Sequence, residues 1–252
     1  MESRLRQSTP SYFRYTIGLL SRFPNFDLPF IFRLRRKAVD SLQLRPGARV
    51  LDVGCGPGGT FPYLVRAVGP TGDVVGVEIS SLVASTARKR IEVNGWKNVD
   101  VVEGDARNAS PSGTFDGMVM FGAPDIYASP VALANLMPYL KDDARIVAFG
   151  IKLTNRRFGT LLNPLLKALM RLSFSSTPAL NHEPWSPLKK YAAELEIHEY
   201  FYGCFFLASG PVSTGATLHS RLEQASEERN RPVECETARN APIHEPSAAK
   251  TT

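Results

Sequence analysis

The chain of 252 residues carries 30 lysines and arginines against 24 aspartates and glutamates, a net charge of +6 with a pI near 9.3. Hydrophobic residues at 43% and charged residues at 21% supply enough core for one large domain or two small ones, which excludes a wholly disordered chain. The three cysteines, Cys55, Cys204 and Cys235, are odd in number and widely spaced; this excludes a disulfide framework or a zinc-finger spacing and points to a reduced, intracellular setting.

Residues 1–45 hold nine basic and three acidic side chains, so the whole excess of +6 lies there; residues 46–210 hold sixteen against fifteen, and residues 211–252 five against six. A basic body would fit nucleic acid, whereas a basic segment before a near-neutral body fits a local surface or partner, and no nucleic acid is expected. Within it, residues 11–37 set five Phe and two Tyr among basic residues. One reading is a pair of short helices, broken at Pro24 and Pro29, that pack their aromatics on the core; the other is a stretch in peripheral contact with an anionic membrane. Ile17–Leu20 is too closely bounded by Arg14 and Arg22 to be a secretory core, and no stretch approaches the roughly 20 apolar residues of a spanning helix. The protein is expected in the cytoplasm, with membrane association as the consequence of the second reading.

From residue 48 short β-branched runs alternate with helical stretches. Arg49–Val53, Asp73–Ile79, Val99–Glu103, Phe115–Phe121 and Arg145–Phe149 read as strands, and Ser81–Gly95 and Pro130–Leu140 as helices, the first with a serine cap. Such alternation implies crossovers and a parallel sheet covered on both faces. Residues 156–174 read as a helical insertion interrupted at Pro164, and Trp185–Ala193 as a further helix. Leu195–Gly210 reads as two strands meeting near Gly203, joined so tightly that they must be antiparallel. The polar, aperiodic residues 211–252 read as a disordered tail.

The run Asp52-Val53-Gly54-Cys55-Gly56-Pro57-Gly58-Gly59 follows a strand and opens a helix, so the backbone can approach a ligand at the carboxyl edge of the sheet. Its glycines fit both the G-x-G-x-x-G of dinucleotide folds and a D-x-G-x-G-x-G loop. The flanking acids distinguish them. Asp52 just before the turn suits a cationic amino-acid group and not a pyrophosphate. Glu78 closes the second strand, where either ligand presents a ribose diol, and Asp105 in Glu103-Gly104-Asp105-Ala106 closes the third, where a carboxylate can accept from an adenine amine.

With these residues, over about 48–210, the chain resembles the class I S-adenosylmethionine-dependent methyltransferases. Leu44-Arg45-Pro46-Gly47 and Tyr200–Ala208 are similar to the ubiquinone/menaquinone-type and phospholipid-type small-molecule branch. The resemblance implies a Rossmann-like, doubly wound, mostly parallel seven-stranded α/β sheet ending in an antiparallel hairpin. The methyltransferase domain would span 46–210 with a helical insertion at about 156–185, between a basic aromatic helical cap (1–45) and the tail. It also implies S-adenosylmethionine as cofactor: Asp52, Gly54, Gly56 and Gly58 toward the methionine moiety with backbone from Cys55, Glu78 at the ribose, Ile79 on the adenine face, Asp105 and Ala106 at the adenine amine and ring, and Phe121 completing the set. Cys55 also reads as a small buried residue with nothing basic nearby to activate it.

A methyl group on a sulfonium is already electrophilic, so such an enzyme mainly aligns a nucleophile and excludes water, adding a base only where a proton must leave. The Asp/Asn-Pro-Pro-aromatic box of amide and nucleobase N-methyltransferases is absent, Phe121-Gly122-Ala123-Pro124-Asp125-Ile126-Tyr127 standing in its place. His182, in Asn181-His182-Glu183-Pro184-Trp185, is the candidate base, with a surface loop as its alternative. Tyr12, Tyr15, Asp125 and Tyr127 are candidates to line the acceptor site, with core packing as the other reading of the tyrosines. No metal is expected, since the four histidines never pair at ligand spacing. An apolar, basic lid from 11–40 and 156–185 suits a small hydrophobic acceptor. The expected reaction is methyl transfer to O, N or C of such a molecule; a NAD-dependent oxidoreductase and a non-methylating S-adenosylmethionine binder are the alternatives.

Overall fold

Seven β-branched or aromatic segments pair into one sheet. The computed structural model describes residues 29–156, 159–173, 181–192 and 194–213, and all the elements below belong to the compact unit Met1–Thr214. Tyr12, Tyr15, Cys235, the expected break at Pro24 and residues 214–252 of the expected tail lie outside the described residues. The tail's expected start at 211 is corrected, since Pro211 closes the last strand and Val212 N–H and Ser213 N–H donate to the Ala144 and Tyr191 carbonyls, both at 2.7 Å. The strands are β1 (Arg49–Val53), β2 (Asp73–Glu78), β3 (Val99–Glu103), β4 (Phe115–Phe121), β5 (Leu140–Ile151), β6 (Glu196–Tyr200) and β7 (Phe205–Pro211), in spatial order 3-2-1-4-5-7-6. β7 runs antiparallel to both β5 and β6, and the β1–β2, β1–β4, β2–β3 and β4–β5 pairs are parallel. The order reverses between β1 and β4, so their carboxyl ends open a crevice at that switch point.

Both faces of the sheet are covered, as parallel strands require. On one face Val50, Val74, Val119, Val147 and Phe149 meet α1 (Pro29–Ser41), α2 (Phe61–Val68) and α3 (Ser81–Asn94). On the other, Leu51, Val53, Met118, Met120, Ile146 and Ala148 meet α4 (Pro124–Tyr127), α5 (Pro130–Leu136) and the turn Ser186–Lys190. The period-two alternation of a strand delivers this sorting residue by residue. The Ser80 side chain caps α3 by accepting from Val83, and Gly95 ends it in the left-handed conformation.

Several local expectations are corrected. Pro29 begins α1, and Pro164 lies in the first turn of α6 (Asn163–Ser173), where a missing N–H costs nothing; the interruption expected at Pro164 falls at the junction of the 3₁₀ turn Gly159–Leu162 with α6. The Asn163 side chain anchors that start, accepting from Thr154 N–H at 3.1 Å and donating to Thr154 C=O at 2.9 Å. The helix expected over Trp185–Ala193 shrinks to a 3₁₀ turn, Ser186–Lys190, and the one over Pro130–Leu140 stops at Leu136 before a 3₁₀ turn, Met137–Tyr139. β5 is much longer than Arg145–Phe149, because its first residues pair with Phe115 across a register shift between Phe115 and Gly117.

Candidate functional site

The carboxyl ends of β1, β2, β3 and β4 gather at the crevice and carry the glycine loop with its acids. Gly54, Gly56 and Gly58 all have positive φ, +69°, +57° and +77°, so the loop coils in a conformation that side chains resist. Their surroundings differ. A Cβ on Gly54 would meet Ala123 Cβ at 2.8 Å, and one on Gly58 would meet the Phe61 ring at 2.5 Å, whereas one on Gly56 would meet nothing within 4 Å. Gly54 and Gly58 are therefore packing positions, while Gly56 faces open space.

Asp52, next to last in β1, has 1% exposure, and neither carboxylate oxygen has a hydrogen-bond partner. Burial pushes its pKa up from the ordinary 3.8 to about 7; Arg35 pulls it down and Glu78 pushes it further up. A buried carboxyl without donors is costly as an anion, so the native protein favours the protonated form until a cation arrives.

Glu78 fastens the loop. One of its carboxylate oxygens accepts from Gly56 N–H at 3.1 Å, the other from Ser80 N–H at 2.9 Å. Burial raises its pKa more than these bonds lower it, with Asp125 adding to the rise. Asp125, in the first turn of α4, is raised by burial and then by Asp105. Asp105 is lowered, chiefly by the side-chain hydrogen bonds from Arg107, whose guanidinium grips its carboxylate. Ile79 is half-buried after β2, and Ala106 is buried beneath α5, its carbonyl held by Asn135 at 3.0 Å. Asp52, Glu78, Asp105 and Asp125 are thus close enough to shift one another's charge around a loop that is open at Gly56.

Cys55 is buried, its thiol pushed well up by burial, then by Asp52 and Glu78, which leaves it unreactive. Tyr127 is a core residue: it is 1% exposed, stands edge-on to Phe206 at 5.4 Å, and its hydroxyl rests where a side chain on Gly150 would clash. His182 is exposed; its loop is fixed to the end of the sheet by Leu153 N–H donating to Asn181 C=O at 2.9 Å. Phe121 closes β4, its ring stacked on Phe149 at 4.3 Å.

Two features carried no signal in the sequence. Arg35, on α1, lies with its guanidinium 4.4 Å from the Phe121 ring centroid and donates to Thr60 Oγ at 2.9 Å, above Gly59. It brings the N-terminal segment's charge to the glycine loop, and only its position in the fold reveals this. Lys152, 5% exposed just beyond β5, pairs with Glu199 and lies over the Trp185 ring at 5.5 Å. Among the described residues no group of His, Cys, Asp and Glu is placed to hold a metal ion, and no helix is long and apolar enough to cross a membrane.

Residues 50–143 match a family described as a methyltransferase domain. The chain is 34% identical over 124 residues to a nocamycin O-methyltransferase from Saccharothrix syringae, covering 48% of this chain and 44% of that protein. It is 32% identical over 126 residues to a demethylmenaquinone methyltransferase from Symbiobacterium thermophilum, covering 49% and 50%. The chain thus spans about half the length of the curated relatives it matches. Among solved structures, a SAM-dependent methyltransferase from Aquifex aeolicus aligns at a TM-score of 0.54 and 20% identity, over 75% of this chain and all of that one. An O-methyltransferase family protein from Burkholderia thailandensis aligns at 0.57 and 16%, over 77% and 60%. At these identities the structures speak for the fold.

Proposed function

We propose that this chain is a class I S-adenosylmethionine-dependent methyltransferase, a reading its domain match and strand order support, and that it methylates O, N or C of a small, largely apolar acceptor such as a lipid, a quinone-like molecule or a secondary metabolite. The observation that carries the reading is the unpartnered Asp52 among neighbouring carboxylates, below a glycine loop open at Gly56. That set of carboxyl acceptors fits S-adenosylmethionine, whose ammonium and sulfonium are cations and whose ribose and adenine donate hydrogen bonds. A pyrophosphate brings no cation to Asp52 and would leave its buried carboxyl unpartnered, which disfavours a NAD enzyme.

When bound, the cofactor supplies a methyl group activated by its positive sulfur. Asp52, with the loop backbone from Gly54 to Gly58, would hold the methionine end, and Asp52 would release its proton as the cation settles beside it. Glu78 would accept from the ribose hydroxyls with the lone pairs that Gly56 and Ser80 leave free; Ile79 and Ala106 would flank the adenine, with Asp105 accepting from its amine. Phe121 would complete the cofactor set at the end of β4, and Asp125 would border the acceptor beside it. His182, on the exposed loop at the end of β5, would take a proton where the acceptor is a hydroxyl. The acceptor class draws its support from the relatives, one named for nocamycin and others for demethylmenaquinone, and from apolar side chains on the same edge, including Phe30, Phe201 and Phe205.

Incubation of the full chain with methyl-labelled S-adenosylmethionine and a panel of quinols, phenols and phospholipids tests the reading. Label should appear in an apolar acceptor. Turnover confined to polar acceptors would overturn the acceptor class, and cofactor binding without transfer to any of them would favour a non-methylating role.

A further inference from the structure

We infer that the edge formed by the β6–β7 turn and the segment Gly159–Ser173 docks on an anionic lipid surface. The first observation is the turn itself. Phe201 and Tyr202 adopt φ of +48° and +57°, followed by Gly203 at +80°, and the turn is closed by Gly203 N–H to Tyr200 C=O and Cys204 N–H to Phe201 C=O, both at 3.1 Å. Tight hairpins of this kind favour Asn-Gly, because bulky L-residues are strained at positive φ. Here two aromatic residues hold that conformation and are nonetheless exposed, Phe201 at 48% and Tyr202 at 66%. Strain retained at exposed aromatic side chains is a mark of function and not of core packing.

The second observation is what lies beside the turn. Phe30 on α1 supports Phe201 from behind at 4.7 Å, so the ring is presented from a fixed base. On the other side, the Thr154 hydroxyl donates to the Tyr202 carbonyl at 2.8 Å, and a Cβ on Gly159 would come within 2.7 Å of the same carbonyl, so Gly159–Leu162 abuts the turn. That helical turn exposes Leu161 at 78%, and α6 exposes Leu165, four residues on, at 64%. Single exposed leucines need no explanation, but aromatic and aliphatic tips gathered on one edge do.

The third observation is charge. Residues 159–173 contain no acid, and Lys167 is exposed on α6. Arg156 is exposed beside the turn, and α1 exposes Arg33, Arg36 and Lys37. Of the acids on these elements, Glu199 is neutralised by Lys152 and Arg156, while Asp40 and Glu196 stand at the ends of α1 and β6 away from the turn. Apolar tips within a cationic surround match the interfacial region of an anionic bilayer, where aromatic rings enter the headgroup layer and lysines and arginines meet the surface charge.

Co-sedimentation of the full chain with vesicles of phosphatidylcholine, alone or mixed with phosphatidylglycerol, tests the inference without reading turnover, so it succeeds or fails separately from the methyl-transfer reading. Binding to the mixed vesicles is expected, and it should weaken in high salt. The double substitution Phe201→Asn with Tyr202→Gly suits the positive φ at both positions; it should fold with an unchanged or higher thermal midpoint and bind mixed vesicles about tenfold more weakly. Leu161→Ser with Leu165→Ser should do the same. Failure of the unmodified protein to bind, equal binding by both double variants, or a concentration-dependent dimer that these substitutions abolish while vesicle binding persists would overturn the proposal.

Discussion

The substitution Asp52→Asn isolates the energetic cost of the site. In the native protein the Asp52 carboxyl keeps its proton until about pH 7, whereas the unfolded chain releases it around the ordinary 3.8. Between those values the unfolded chain binds fewer protons than the native one, so raising the pH favours unfolding. At about 1.4 kcal/mol per unit, the span corresponds to about 4 kcal/mol of stability present in acid and lost by neutrality. The asparagine side chain cannot ionise and nearly matches the protonated acid in shape. Urea unfolding followed by far-ultraviolet circular dichroism should therefore find D52N close to the parent near pH ~3.5, ahead by about 1.5 kcal/mol near pH ~5 and by about 4 kcal/mol near pH ~8. A shallower fall from Glu78, raised in the same direction, should remain in both proteins. Parallel pH profiles for the two proteins, or a D52N less stable than the parent at the higher pH, would refute the reasoning.

Other perturbations give distinct readouts. Arg35→Ala removes the charge that holds Asp52 down, so the pH at which stability levels off should move upward; an unmoved profile would mean Arg35 acts only by packing on Phe121. Gly56→Ala should cost about 1 kcal/mol for the left-handed backbone yet weaken cofactor binding strongly, since its methyl enters the open space, while Gly58→Ala should lose more stability against the Phe61 ring; thermal midpoints with and without S-adenosylmethionine separate the two. Glu199→Gln should destabilise by about 3 kcal/mol because it strands the buried Lys152 ammonium, whereas Lys152→Met should be far milder, as chemical denaturation would show.

The alternation of β-branched runs made the sheet legible, because a strand buried on both faces has few residue types open to it, and the β6–β7 hairpin followed from the shortness of its connection. Helix lengths were less legible. Trp185–Ala193 and the end of Pro130–Leu140 have helical composition, but the chain tightens there into 3₁₀ turns, and the deciding information lies in packing against the sheet, where Trp185, Leu188 and Met137 are buried. The glycine loop and its acids were legible because backbone conformation and ligand charge constrain them locally. The division of labour among the glycines was not: Gly54, Gly56 and Gly58 look alike in sequence, and only their neighbours show which faces open space. For Tyr127 the core-packing reading is the one the structure bears out, its place being set by Gly150 and Phe206 on other strands. Arg35 counted only as one of nine basic residues until α1 was seen lying on the loop.

Calorimetric titration of the full chain with S-adenosylmethionine, in buffers of differing ionisation heat below and above neutrality, tests the central claim that a buried, protonated Asp52 receives a cationic cofactor. One site is expected, with close to one proton released per cofactor near pH ~6, little near pH ~8, affinity rising between them, and neither NAD nor the D52N variant giving this signature. Binding of NAD in preference to S-adenosylmethionine, or tight S-adenosylmethionine binding by D52N with unchanged proton release, would contradict the account.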